Sequence, residues 1–310
     1  MSQVTNTILM VRPISFRMNE QTAVNNYFQE DIDMMNEAIN AKAQKEFDTF
    51  VEKIRAAGIQ VITVQDTLKP DTPDSIFPNN WISTHEDGTV TLYPMFAENR
   101  RNERREDILD VLEANNFCVE NVMDYTSAEE EGIFLEGTGS IILDRVHRKA
   151  YCALSPRADE DLFIEFCEDF EYFPVIFTAN QDVDGVRKPI YHTNVMMCVG
   201  DNFAVVCLDT IDDKKERKNL VDHLKKDGKE IIVISETQMS NFAGNMLQAQ
   251  SETGEKYLIM SKSAHESLHS NQIKSIEKYA TILSSNLETI ETCGGGSARC
   301  MMAEIFLPKK

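Results

Sequence analysis

Positive charge is the scarcest feature of this 310-residue sequence: 31 lysines and arginines face 51 aspartates and glutamates, for a net charge of −20 at neutral pH. So acidic a chain is a poor match for a phosphate backbone or an anionic membrane surface, and neither nucleic acid nor membrane is expected as a partner. Long apolar runs are missing as well. No stretch approaches the roughly 20 consecutive apolar residues of a membrane-spanning helix. Met1 to Thr7 carries no basic n-region, and Ile8 to Val11 is too short for a signal sequence. The cysteines at 118, 152, 167, 198, 207, 293 and 300 include no CxxC pair. That argues against a disulfide framework or a thiolate zinc site and fits a reducing cytoplasm. No Pro-, Gly- or Ser-rich linker divides the chain, and no GxGxxG follows the first strand. One catalytic domain over residues 1–310 is expected, with a two-domain doubly wound sheet as the competing architecture.

With 42% hydrophobic residues the chain can bury a sizeable core. Asn6 to Arg12 reads as a strand. Asn36 to Ala57 reads as a helix with Ile39, Ala43, Phe47, Phe50, Val51 and Ile54 on one stripe, ended by Gly58 before a strand at Ile59 to Val64. Trp81 to Thr84 and Thr89 to Tyr93 flank the Asp87-Gly88 turn, followed by a helix at Glu103 to Asn115 and a strand at Phe117 to Asn121. The order resumes with strands Ile141 to Leu143 and Lys149 to Ala153, helix Asp159 to Cys167 and strand Tyr172 to Phe177. A fourth round holds strands Val195 to Val199 and Phe203 to Cys207, helix Lys214 to Lys226 and strand Glu230 to Ile234. The fifth holds a strand pair around Gln248 and Tyr257 to Met260, a helix at Leu268 to Lys278 and a strand at Thr281 to Leu283. About five rounds of an αββαβ-like unit emerge from the order of elements, since identity between rounds is negligible.

The strongest local signal is Cys293-Gly294-Gly295-Gly296-Ser297-Ala298-Arg299-Cys300. Three consecutive glycines are costly to order but permit close backbone approach to a ligand. A cysteine beyond such a turn can be held as a reactive thiolate, with Arg299 beside it, or can simply be packed. Cys293 competes for the nucleophile role, while the other five cysteines sit in apolar elements and read as core. His192 precedes a buried-type strand, where an imidazole can serve as base or acid or merely bond to backbone. Glu136 meets a glycine-rich turn; buried there, it needs a partner such as a histidine or a cationic or urea-like group. Asn79 and Asn80 follow Phe77-Pro78 and are either turn formers or substrate amides. No histidine spacing makes a metal triad.

In chain order, Pro73-Asp74-Ser75-Ile76-Phe77, Glu136-Gly137, His192 and Cys300 after Gly294-Gly295-Gly296 resemble the guanidino-group-modifying, or pentein, superfamily. That family includes arginine deiminases, dimethylarginine dimethylaminohydrolases and amidinotransferases. The resemblance spans essentially the whole chain and implies an α/β fold, a five-bladed αββαβ propeller with pseudo-fivefold symmetry. It implies Cys300 as nucleophile, His192 as general acid and base, Glu136 as the carboxylate that orients the imidazole, and no metal or organic cofactor. Arginine-processing members usually carry acidic residues where this chain has Asn80 and Asn194. An amide cannot neutralise a guanidinium but suits a neutral ureido group. With Phe77-Pro78-Asn79-Asn80-Trp81 and Asn241-Phe242-Ala243-Gly244-Asn245, the chain is similar to the citrulline-utilisation hydrolase branch, which implies cleavage of citrulline to ornithine, carbon dioxide and ammonia. Arginine deimination, amidino transfer and a non-catalytic binding protein are the alternatives. Asn80, Asn194, Phe77, Asn79, Arg299 and Asn241 are the expected substrate contacts, with Arg12, Arg145, Arg187 and Arg299 as candidates for the substrate carboxylate and Ser240 near the pocket. A small amino-acid substrate is the expected partner, and a homodimer is left open.

Overall fold

The sequence periodicity becomes a set of small sheets in the computed structural model, which describes residues 2–310. The helix Asn36–Ala56 buries Ile39, Ala43, Phe47, Phe50, Val51 and Ile54, the stripe read from the sequence. It stops where Gly58 takes φ +76°, a conformation that costs glycine little. The following strand, Gln60–Gln65, pairs in parallel with Thr7–Arg12, whose other edge is antiparallel to Ala303–Glu304 near the end of the chain.

Four more three-stranded sheets repeat this plan, each with a central strand antiparallel to one neighbour and parallel to the other. Thr89–Leu92 lies between Ile82–Thr84 and Asn121–Asp124. Lys149–Ala153 lies between Ile141–Asp144 and Phe173–Phe177. Phe203–Val206 lies between Met197–Val199 and Glu230–Val233, and Lys256–Ser261 between Leu247–Gln250 and Thr281–Ser285. In each round a helix links the parallel pair, as it must, because a short turn cannot reverse the chain into parallel register. An added hairpin, Asn180–Val183 with Val186–Pro189, interrupts the pattern just ahead of His192. Among the described residues no helix is long and apolar enough to cross a membrane.

Departures from the sequence reading have local causes. The expected helix from Glu103 begins at Asp107, because Glu103 is buried against Arg100 of the preceding turn Glu98–Arg101. The strand expected at Phe117 lies instead at Asn121–Asp124, and Phe117 makes only an isolated bridge to Lys309. The helix expected over Leu268 to Lys278 is the shorter Ser270–Ile276, and a separate helix, Lys262–Ser267, capped by the Ser261 side chain, lies ahead of it.

The consequential departure is at the entry to the short edge strands. Val195 and Met196, expected in a strand, belong to a one-turn helix, Thr193–Met196. Similar turns precede other edge strands: Pro78–Asn80 before Ile82, and Gly137–Ser140 before Ile141. Hydrogen-bonded turns at 241–244 and 298–301 precede Leu247 and Ala303. The Gly137–Ser140 turn packs against both Pro78–Asn80 and Thr193–Met196, so residues far apart in sequence meet at these turns.

Two rounds are also joined by charge. Lys229 donates to Asp144 at 3.0 Å, with both side chains wholly buried, and to the carbonyls of Gly200 and Asp201 at 2.9 Å. Removing one member of a buried pair leaves an uncompensated charge. Lys229→Met is expected to lower the urea unfolding free energy by about 3–5 kcal/mol, checked by equilibrium denaturation; a change near zero would show that Asp144 is satisfied by His147 alone.

Candidate active site

Glu136 caps the Gly137–Ser140 turn, and His192 occupies the same position on Thr193–Met196. Both are buried, and His192 Nε2 lies 2.7 Å from Glu136 Oε2. The other carboxylate oxygen accepts from the Phe96 N–H at 3.0 Å. Arg157 approaches Glu136 at 3.5 Å and Arg100 at 4.0 Å. Burial alone would push this carboxyl group up, but Arg157, the His192 hydrogen bond and Arg100 outweigh it and hold the group well below the usual carboxylate range. An ionised carboxylate only accepts, so Nε2 carries the imidazole proton and Nδ1 is left as the base. Burial, reinforced by the two arginines and opposed by Glu136, keeps the ring neutral down to about 4.

Cys300 sits on the turn after the glycines and lines a small cavity together with His192, Tyr191, Phe77, Asn80, Asp74, Arg100 and Arg157. Its sulfur accepts from Asn245 Nδ2 at 3.2 Å and Asn194 Nδ2 at 3.4 Å. The Phe77 ring lies against Gly294 and Gly296, where a Cβ would come within 2.9 Å of it. Gly295, at φ +61°, faces Asn26 and Gln29. The glycines thus meet the two demands that single them out, close approach and a left-handed turn. Gly139 is equally constrained: a Cβ there would lie 2.4 Å from Asn80 Nδ2 and 2.9 Å from His192 Nδ1.

The other expected contacts divide. Asn80 lines the cavity, with Oδ1 accepting from Arg100 at 2.9 Å and Nδ2 donating to Asn79 Oδ1 at 3.1 Å. Asn79 is buried beside it, with Nδ2 lacking a partner among the described residues. Cys293 is packed in the core, its thiol pushed up by burial, and does not line the cavity. Arg299, next to Cys300 in sequence, points elsewhere, donating to the Met302 carbonyl at 2.7 Å and Glu304 at 2.9 Å. Asn241 is exposed and bonds the Thr237 carbonyl; with Ser240 it borders a separate surface cleft. Arg12 pairs with Asp48, Arg187 with Asp212 and Glu236, and Arg145 stacks on Phe306.

Four cavity or sulfur-contact residues were not singled out as site residues from the sequence, although Asp74 lies in the Pro73 to Phe77 motif. Arg157 is anchored by Asn25 Oδ1 and the Thr22 carbonyl, each at 2.9 Å, which ties residues 19–29 across the cavity. Arg100 is held bidentate by Glu103. Asp74 accepts from Asn19 at 2.8 Å and Thr22 at 3.2 Å through Oδ2, while its buried Oδ1 has no partner among the described residues. Asn245 is the fourth; only its place in the Asn241 to Asn245 segment hinted at the site.

A family model described as "N,N dimethylarginine dimethylhydrolase, eukaryotic" matches residues 12–307. No curated protein matches the sequence significantly. Among solved structures, ArgZ, an arginine dihydrolase from the ornithine-ammonia cycle in cyanobacteria, aligns with TM-score 0.74 at 17% identity over 98% of this chain and 41% of its own. The chain thus spans about two-fifths of that protein. The N-terminal domain of ArgZ, covalently bonded to a reaction intermediate, aligns with TM-score 0.72 at 16% identity over 97% of this chain and 99% of that domain. A dimethylarginine dimethylaminohydrolase in adduct with S-methyl-L-thiocitrulline aligns with TM-score 0.66 at 12% identity over 97% of this chain and the whole of the other. At these identities the structural likeness is one of fold, whereas the family match covers nearly the entire sequence. The chain belongs to the N,N dimethylarginine dimethylhydrolase family, within the guanidino-group-modifying superfamily.

Proposed function

We propose that this chain hydrolyses the ureido group of citrulline to ornithine, carbon dioxide and ammonia, with Cys300, His192 and Glu136 as the catalytic set and the five similar sheets arranged as blades about one axis. The observation that carries the substrate reading is the amide character of the reacting end. Asn194 and Asn245 direct NH2 groups at the sulfur, and Asn80, which lines the cavity with its oxygen occupied by Arg100, has a second Nδ2 hydrogen beyond the one given to Asn79 to offer a carbonyl oxygen. Glu136 is already committed to His192, the Phe96 N–H and Arg157. A neutral ureido group matches this lining better than a guanidinium does.

The far end suits an α-amino acid. Asp74 Oδ1, buried without a partner among the described residues, is an acceptor for an ammonium group. Arg157 Nη1, which approaches Glu136 at 3.5 Å, has a second N–H to offer a carboxylate, the Nε and Nη2 hydrogens being taken by Asn25 and Thr22. Arginine is the second reading, and the same observation favours it, since a free carboxylate oxygen at Asp74 could hold a guanidinium.

In the proposed reaction Nδ1 of His192 takes the Cys300 proton and the thiolate attacks the ureido carbon. A carbon–nitrogen bond breaks as the imidazolium returns its proton to the departing nitrogen. Water, deprotonated by the same Nδ1, then attacks the thiocarbamate; the carbon–sulfur bond breaks and the carbamate decomposes, for a net consumption of one water.

Steady-state product analysis on citrulline and on arginine, with the parent enzyme and Cys300→Ala, tests this reading. Ornithine and carbon dioxide from citrulline, lost in the variant, are expected; citrulline and ammonia from arginine would replace the ureido reading with a deiminase. The acid limb of kcat/KM is expected well below the ordinary histidine value of about 6.5, because burial pushes the His192 imidazole down to about 4. Glu136→Gln removes the contact that raises the imidazole pKa, so the limb should move further down while the rate falls on the order of 10²–10⁴-fold. A limb at or above the ordinary value would contradict the buried neutral imidazole.

A further inference from the structure

Asn245 lies on a different round of the fold from Cys300 and His192, and its carboxamide orientation is dictated by its neighbours. Oδ1 accepts the backbone N–H of Arg299 at 2.9 Å, and a backbone N–H can only donate. Nδ2 donates to the backbone carbonyl of Asn194 at 3.1 Å, which can only accept. The NH2 end therefore faces Cys300 Sγ, 3.2 Å away. The contact is buried, with Asn245 wholly inaccessible.

The local chain is shaped to deliver this group. A Cβ on Gly244 would fall 2.2 Å from the Val195 carbonyl oxygen and 2.8 Å from the Met196 carbonyl carbon, so only glycine lets the turn before Leu247 press against the His192 turn. Asn194, the second donor, differs in kind: its Nδ2 lies 3.4 Å from Sγ and its Oδ1 3.8 Å, with no other side-chain partner among the described residues. It can turn its oxygen to a thiol proton or its NH2 to a thiolate, whereas Asn245 can only donate.

We infer that Asn245 is a further catalytic residue, a fixed N–H donor that favours Cys300 as the thiolate and bridges the nucleophile turn to the histidine turn. The inference rests on Cys300 being the nucleophile. An N–H donor of fixed direction stabilises the anion over the neutral thiol, and it does so before substrate arrives, with no reorganisation during the attack. It also supplies a donor that the nearby cations do not, since Arg100 and Arg157 are directed at Glu136, Glu103, Asn80 and residues 22–25.

The test is the pH dependence of Cys300 alkylation by iodoacetamide, scored on the Cys300 peptide by mass spectrometry, in the parent, Asn245→Asp and Asn245→Ala, alongside kcat. Asn245→Asp keeps the acceptor for the Arg299 N–H and puts an anion against the sulfur. The alkylation midpoint should rise by about one pH unit or more, and kcat should fall on the order of 10²-fold or more. Asn245→Ala should move both in the same direction by less, and Asn194→Ala gives the same readout from the other donor if an Asn245 variant does not fold. A midpoint unchanged in a folded Asn245 variant overturns the inference, as does a kcat loss with no change in alkylation. If Cys300→Ala retains hydrolysis, the nucleophile assignment fails, and the alkylation midpoint separates that result from the behaviour of the Asn245 donor.

Discussion

Charge balance in a dry interior is the constraint on which this structure depends. Asp74, Glu103 and Glu136 are all at most 3% exposed, as are Arg100 and Arg157, so three carboxylates share two guanidinium groups. Unpaired burial of any of these would cost several kcal/mol, and the chain is arranged so that each is shared. Arg100 is bidentate on Glu103 and reaches Asn80 and the Phe77 carbonyl; Arg157 reaches Glu136 and the 22–25 segment. Glu136 in turn fixes the tautomer of His192. The one carboxylate oxygen left over is Oδ1 of Asp74, a residue lining the cavity, and a zwitterionic or cationic ligand there would complete the balance.

The same network explains how a site can be assembled from short turns. A one-turn helix has little stability of its own. Here each turn is pinned by contacts from other rounds: Gly137 and Gly139 pack on Asn79 and Asn80, Gly244 packs on Val195, and Tyr191 donates to the Gly295 carbonyl. Five entry turns bring Asn80, Glu136, His192 with Asn194, Asn245, and Cys300 into mutual reach. This geometry needs the glycines because backbones approach too closely for a Cβ, and it needs the repeated sheet plan because each round supplies one turn.

Most of the framework was legible in the sequence. The buried stripe of Asn36–Ala56, the Asp87-Gly88 hairpin and the alternating helix and strand order follow from periodicity and turn chemistry. The motifs at Glu136, His192 and Cys300 were legible because glycine and a polar residue at a strand entrance is an unusual combination. Arg100 and Arg157 were not, since nothing local distinguishes an arginine that turns inward from one that pairs on the surface, as Arg12 and Arg187 do. Arg299 misled for a geometric reason: adjacent residues on a turn point in different directions, so the neighbour of Cys300 reaches Glu304 instead of the cavity. Asn241 and Asn245 share one segment, but Asn241 is still exposed, whereas the chain is buried from Phe242 onward.

The most direct test of the central claim is to trap the covalent state. Parent enzyme acid-quenched during citrulline turnover should carry a thiocarbamate on the Cys300 peptide and on no other cysteine. Turnover of citrulline with an unmodified Cys300 peptide, or an adduct on Cys293, would contradict the account.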